Sequence, residues 1–403
     1  MIKKLHKKML LAACFAGTML TSNAQTGLNF DGVNDYIQTP FAGVLGSANR
    51  TFEAWIYVPS PGPSINLGIL DYGINAAGSR NTFLIKDDNS LRFVSGGSFA
   101  NLGTDPNTVP LDAWTHVAFV LNNGTGYLYI NGVEAISGNL SNVNTPSEYE
   151  DVLIGNRVAA ASTNNMFFGG QMDEVRIWDI ARTGDEIQDA MYTEFCESTS
   201  GLVAYYKMND GISGADNTGA TSVNDLVAGN DGVLNNFALT DANSNFVDGV
   251  PLITLDETTL TAFQENATYQ WIDCDNGGAY IDGATEQSFT SEVAGTYAVE
   301  ITLDGCMTTS ECMEVASLGI ETSVIESLNI FPNPTADFVT ISLNATNSFN
   351  VKLINITGQV IGSFNGNQSN KLMIDLQNHK SGIYFLKIEL EKGQTKTFKI
   401  VKL

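Results

Sequence analysis

The stretch GGQMDEVRIWDIART (169–183) sets two carboxylates, Asp173 and Glu174, side by side. Such a pair could act as acid and base, ligate a metal, or hold structure. In a strand, neighbouring side chains point to opposite faces. That pattern puts Asp173 with Val175, Ile177 and Asp179, and Glu174 with Met172, Arg176 and Trp178. The two then cannot converge on one atom. Glycosidase carboxylates share a cleft, roughly 5–9.5 Å apart. On this pattern no catalytic residue is assigned.

A second set lies in FDGVNDY, where Asp31, Asn34 and Asp35 flank glycine. Calcium takes six to eight oxygens, usually from loops, so these three are candidate ligands. The competing reading is a plain turn, which the same residues favour. DNGG (275–278) and NDGV (230–233) are weaker, and neither has EF-hand spacing. His116, in WTHVAFV, shares a face with Trp114, Ala118 and Val120 and reads as packing. No second His lies nearby, which argues against hydrolytic zinc. Ser and Cys lack a supporting motif such as GxSxG. Trp55 and Trp178 read as core. Tyr72, Phe99, Phe167 and Phe168 are the aromatics expected in loops that could stack on a sugar.

Elements must position these residues. Arg50–Val58, Trp114–Asn122 and Gly169–Ile180 alternate, and Asn131-Gly132 between apolar runs signals a hairpin. Residues 183–194 read as a helix, with Thr183 as N-cap and Glu186 three residues on. Many short strands with turn residues predict an antiparallel sandwich or jelly roll. At 403 residues, several domains are expected.

The formal net charge is −24. Nucleic acid is a poor partner for such a chain, because phosphates need clustered Lys and Arg. The charge is uneven: residues 327–403 carry a net +4 and residues 25–326 a net −32. A boundary near residue 320 follows, with 317–326 as linker. At the other end, Lys3, Lys4, Lys7 and Lys8 precede an apolar run, and Ser22 and Ala24 precede Gln25. This reads as a secretory signal over 1–24. Leu11-Ala12-Ala13-Cys14 offers a lipoprotein reading, but the apolar run continues past Cys14. No other segment has the ~18 apolar residues of a membrane helix, so no transmembrane span is expected in the mature chain. Cys196, Cys274, Cys306 and Cys312 remain, and an even count in an exported chain permits two disulfides.

LNFDGVNDYIQT, RTFEAWIYV, LDAWTHVAFVLNNGTGYLYINGVEA and GGQMDEVRIWDIARTGDEI occur in the order seen in laminin-G-like domains. Residues 26–195 thus resemble a laminin-G-like, concanavalin-A-like jelly roll. The resemblance implies that first and last strands are neighbours, so Asp173 would join Asp31, Asn34 and Asp35 in a Ca²⁺ site. The strand-spaced acidic pattern of jelly-roll glucanases is absent. Residues 196–250 resemble the strand and loop extension that accompanies such domains. Residues 251–316 resemble an immunoglobulin-like module, with Trp271 and Tyr297 as core and Cys274 paired to Cys306 or Cys312. Cys196 would then tie that module to the upstream domain.

The end of the chain carries Pro332-Asn333-Pro334, Gly358-Gln359, Ser381-Gly382-Ile383-Tyr384 and Lys399-Ile400-Val401-Lys402. Residues 327–403 resemble the type A C-terminal sorting domain of the type IX secretion system of Bacteroidota. That implies Pro332, Asn333, Pro334, Gly382, Tyr384, Lys399 and Lys402 as sorting-motif residues, the secretion machinery as partner, and a secreted or cell-surface product. The whole reads as an all-β protein that binds a glycan or an extracellular protein without catalysis. The alternatives are a carbohydrate-active hydrolase or lyase on the same fold, and a purely structural adhesin.

Overall fold

The computed structural model describes residues 25–97, 101–147, 150–158, 165–196, 199–316, 329–342, 349–356, 358–366, 371–390 and 395–403. The expected signal at 1–24, Phe99 and the 317–326 linker lie outside the described residues. Two compact units divide at Val315/Ala316.

The first unit begins with two eight-stranded antiparallel sheets. One is built on the strands Thr26–Asp31, Arg50–Tyr57, Trp114–Asn122 and Gly169–Trp178. The other contains Tyr36–Gln38, Leu67–Gly73, Arg80–Ile85 and Glu150–Ile154. Leu28, Phe52, Ile56, Phe83, Phe93, Phe119 and Ile177 fill the space between them. The period-2 pattern of these strands supplies that inner face. Asn131 and Gly132, both at positive φ, form the predicted hairpin turn between Thr125–Ile130 and Val133–Asn139.

The segment after residue 196 completes this sandwich. Leu202–Tyr206 pairs with Gly169–Trp178, Gly232–Asn235 with Tyr36–Gln38, and Phe246–Asp248 with Thr26–Asp31. Each addition covers an edge that would otherwise expose unpaired backbone.

The predicted helix is shorter than expected, Gly184–Ala190. Thr183 and Glu186 form a capping box. Ile187 seats on Ala118, Val120 and Tyr129, on the outer face of the first sheet.

Residues 253–315 form two smaller sheets, of three and five strands. Trp271 and Tyr297 are in their core, as expected. Cys274 bonds to Cys312, and Cys196 to Cys306. The second bridge fastens this module to the jelly roll.

The second unit holds a three-stranded and a four-stranded sheet around Val339, Ile341, Leu353, Leu386 and Ile400. Its motif residues interlock. The Asn333 side chain accepts from Val401 N and donates to Lys399 O, and Thr335 N donates to Val401 O. The Pro332–Pro334 segment is thereby stitched to the last strand, Thr395–Lys402. Gly382 opens the strand paired with it, Gly382–Leu390, and Tyr384 OH donates to Lys380 O. The Lys402 ammonium donates to Leu403 O.

Candidate functional site

Asp173 and Glu174 lie on one face, not two. The register slips between Asp173, opposite Trp55, and Arg176, opposite Glu53. Glu174 sits in this β-bulge at φ 54°. Met172, Val175 and Ile177 turn into the jelly-roll core, while Asp173, Glu174, Arg176 and Trp178 turn outward. Strict alternation is therefore broken at this point: one extra residue moves Asp173 across the sheet.

Sharing a face still does not make these groups catalytic, because both are buried and held by donors of the fold, although Glu174 Oε1 is left without a hydrogen-bond partner. Asp173 accepts from Glu174 N at 2.8 Å and Val250 N at 2.9 Å. Glu174 accepts from Arg176 at 2.5 Å and from Tyr205 OH. Beside them Glu53 meets Arg182 at 2.7 Å, with His116 Nε2 at 3.4 Å and Arg176 at 3.8 Å. The guanidinium of Arg176 lies over Phe195, and that of Arg182 over Trp178. Trp55 Nε1 donates to Met191 O, and Trp55 packs in the core of the second module. The result is a buried ionic layer sandwiched between the sheet and the segments that cover it.

Electrostatics within this layer vary by position. Burial alone would raise Glu53, but Arg182, His116 and Arg176 outweigh it and hold the carboxyl at about 2. Burial pushes His116 down, against the pull of Glu53. Burial raises Asp173, and the adjoining Glu174 raises it further. Burial also raises Glu174, against the pull of Arg176.

The expected calcium quartet does not assemble. Asp31 lies opposite Gly169, and Asp173 is four residues farther along that strand, about 13 Å at strand rise. Within the turn, Asp31 Oδ1 accepts from Val33 N and Asn34 N, and Asp35 Oδ2 accepts from Asp31 N. Those contacts are what an Asp-capped turn makes, with Asp35 Oδ1 left buried and without a hydrogen-bond partner. Among the described residues no three His, Cys, Asp or Glu side chains group as metal ligands. Asp173 therefore does not share one ion with Asp31, Asn34 and Asp35.

The aromatic expectations also change. Tyr72 and Phe168 are core residues at 0% exposure, and Phe167 is half-buried. Tyr72 and Phe168 therefore offer no open ring face to a sugar. In the weaker stretch NDGV, Asp231 accepts from Asp225 N, while the preceding Asp225 accepts four backbone N–H groups, from Tyr205, Val227, Ala228 and Asn230.

An open cleft of about 600 Å³ lies at one end of the sandwich. Its floor is Asn29–Gly32 and Gly169–Gly170, and one wall is the loop Val58–Ile65. Glycine is needed here: a Cβ on Gly170 would meet Tyr57 O at 2.2 Å. The loop is anchored by Asp112, which accepts from Ser60 N and Ser60 Oγ. Pro59, Pro61, Pro63 and the exposed Ile65 provide apolar surface; Asp31, Ser60 and Asn243 provide polar groups. Among the described residues no Lys or Arg lines it. Sequence patterning did not mark this cleft, because its residues come from four separated segments, two of them strand ends; only the run SPGPS (60–64) hinted at a built loop.

Residues 31–188 match the concanavalin A-like lectin/glucanases superfamily, through a laminin-G family model. This region is a laminin-G-like jelly roll. Residues 329–402 match the secretion system C-terminal sorting domain. The chain therefore couples a laminin-G-like domain to an export address, and its product is secreted or held at the outer surface. A Bacteroides ovatus protein, whose carbohydrate-binding role is itself a suggestion, shares 24% identity at TM-score 0.42, over 53% of this chain and 58% of that one. Domain 4 of an extracellular arabinanase from Geobacillus stearothermophilus, solved with arabinotriose, shares 25% identity at TM-score 0.29, over 36% and 67%. An ulvan lyase of Nonlabens ulvanivorans is 26% identical over 89 residues, 22% of this chain and 17% of that enzyme.

Proposed function

We propose that the protein is an exported glycan-binding protein whose laminin-G-like domain takes a neutral oligosaccharide in the end cleft. The cleft carries the reading. It joins proline and isoleucine walls to the Asp31, Ser60 and Asn243 side chains, the mixed lining expected of a small-ligand site. Its lack of Lys and Arg, and the net −32 over residues 25–326, disfavour sulfated or uronate glycans. The superfamily match and the arabinotriose-bound relative agree with a carbohydrate ligand.

A glycan array probed with the full chain tests this. Neutral oligosaccharides should dominate the hits. The double variant Ile65→Ala, Asn243→Ala, altering two exposed lining residues, should lose them by tenfold or more. Hits confined to sulfated or uronate glycans would refute the reading.

The lyase relative favours a second reading, in which the domain depolymerises a polyanionic glycan. Both conspicuous carboxylates are locked in the buried layer, which weighs against it. Incubation with ulvan, followed by ultraviolet absorbance of an unsaturated product, decides between them.

A further inference from the structure

We infer that the protein has a second carbohydrate subsite, at the seam between the jelly roll and the immunoglobulin-like module, selective for neutral pyranose rings. This rests on the glycan-binding reading and adds a location that the jelly roll alone does not possess.

A cavity of about 280 Å³ opens at this seam, between Gln188–Tyr192 and Phe263–Asn266. An aromatic ladder leads into it. Trp55 packs on Tyr192 with ring centroids 5.0 Å apart, and Tyr192 stacks on Phe263 at 4.9 Å and 17°. Trp55 is buried, Tyr192 half-buried, and Phe263 37% exposed. The outermost ring is thus stacked on Tyr192, itself backed by Trp55, while still reaching solvent. A pyranose with equatorial hydroxyls has apolar C–H faces that suit such a ring. Around it stand the exposed side chains of Gln188, Asp189, Glu265 and Asn266, which can bond the hydroxyl edge. Two carboxylates with no cation in the lining reject acidic sugars.

The seam is prebuilt. Gln264, 4% exposed, crosses it: Thr193 Oγ1 donates to its Oε1, and its Nε2 donates to Asp189 O at 3.0 Å. The Cys196–Cys306 disulfide closes the same junction. A ligand here meets fixed walls and does not have to order them, which favours affinity.

The test is calorimetric titration of the full chain with cellotetraose. Wild type should take two equivalents. Phe263→Ala should take one, as should the end-cleft double variant Ile65→Ala, Asn243→Ala. Asp189→Asn with Glu265→Gln keeps the ring but alters the hydroxyl partners, and should weaken the seam event about tenfold. Melting temperatures near wild type would show that the variants fold. One equivalent in wild type, unchanged in Phe263→Ala and abolished by the end-cleft variant, would overturn the seam site while leaving the end cleft intact. No heat with cellotetraose also overturns the seam site; the glycan array then separately judges the broader reading.

Discussion

At the scale of residues, the conspicuous carboxylates are cement. Glu53 is held at about 2 by Arg182, His116 and Arg176, against 4.5 ordinarily. A group whose folded pKa is depressed contributes stability above its unfolded pKa and loses it as pH falls through the folded value. The Glu53 contribution, of order 3 kcal/mol, should therefore fade between about pH 4.5 and pH 2. Asp173 and Glu174 are raised, so they act in the opposite sense and offset part of this loss. Glu53→Gln should cost about 3–5 kcal/mol at neutral pH, because it leaves guanidinium groups buried with a neutral partner. Its acid limb should be shallower than that of the wild type; both follow from denaturant melts across pH 2–7. Asp173→Ala strands the Val250 and Glu174 N–H groups and should cost about 2–4 kcal/mol. Millimolar calcium should shift its melting temperature no more than it shifts wild type. A calcium response lost only in Asp173→Ala would restore the ion to that residue.

At the scale of elements, a single bulge decides what the last long jelly-roll strand presents. The sequence shows the strand, its flanking glycines and the capped helix after it. It does not show the bulge, because Glu174 adopts positive φ with no glycine or asparagine to mark it. Asp173, Arg176 and Trp178 consequently converge on the segments that cover the sheet, a neighbourhood no local pattern encodes. Tyr72 was misplaced for a related reason. Its strand, Leu67–Gly73, is buried throughout and has a register shift between Gly68 and Leu70, so alternation gives no reading of its faces. The helix is a simpler case. Thr183→Ala removes a cap that holds Ile187 over Ala118 and Val120, and should cost about 1 kcal/mol in chemical denaturation.

At the scale of the whole molecule, the disulfide pattern and charge distribution separate binding from delivery. Cys196–Cys306 spans 110 residues and joins the jelly roll to the module beyond it. Replacing both cysteines by serine should cost about 2–5 kcal/mol and make the two parts melt separately in calorimetry. The division near residue 316 was legible from the change of charge, and the sorting domain from its motifs. The end cleft was not, since chain segments over two hundred residues apart in sequence, Asn29 and Asn243, meet only in the fold. Removal of residues 327–403 should leave ligand affinity unchanged and retain the product inside the outer membrane, as read by cell fractionation.

The most direct measurement titrates the strongest neutral glycan from the array into wild type and into Ile65→Ala, Asn243→Ala, and then sizes the glycan. A glycan that binds wild type, binds the variant at least tenfold more weakly, and is recovered at its original length is the predicted result. A shortened glycan, or equal affinity in both proteins, would contradict a non-catalytic site in the end cleft.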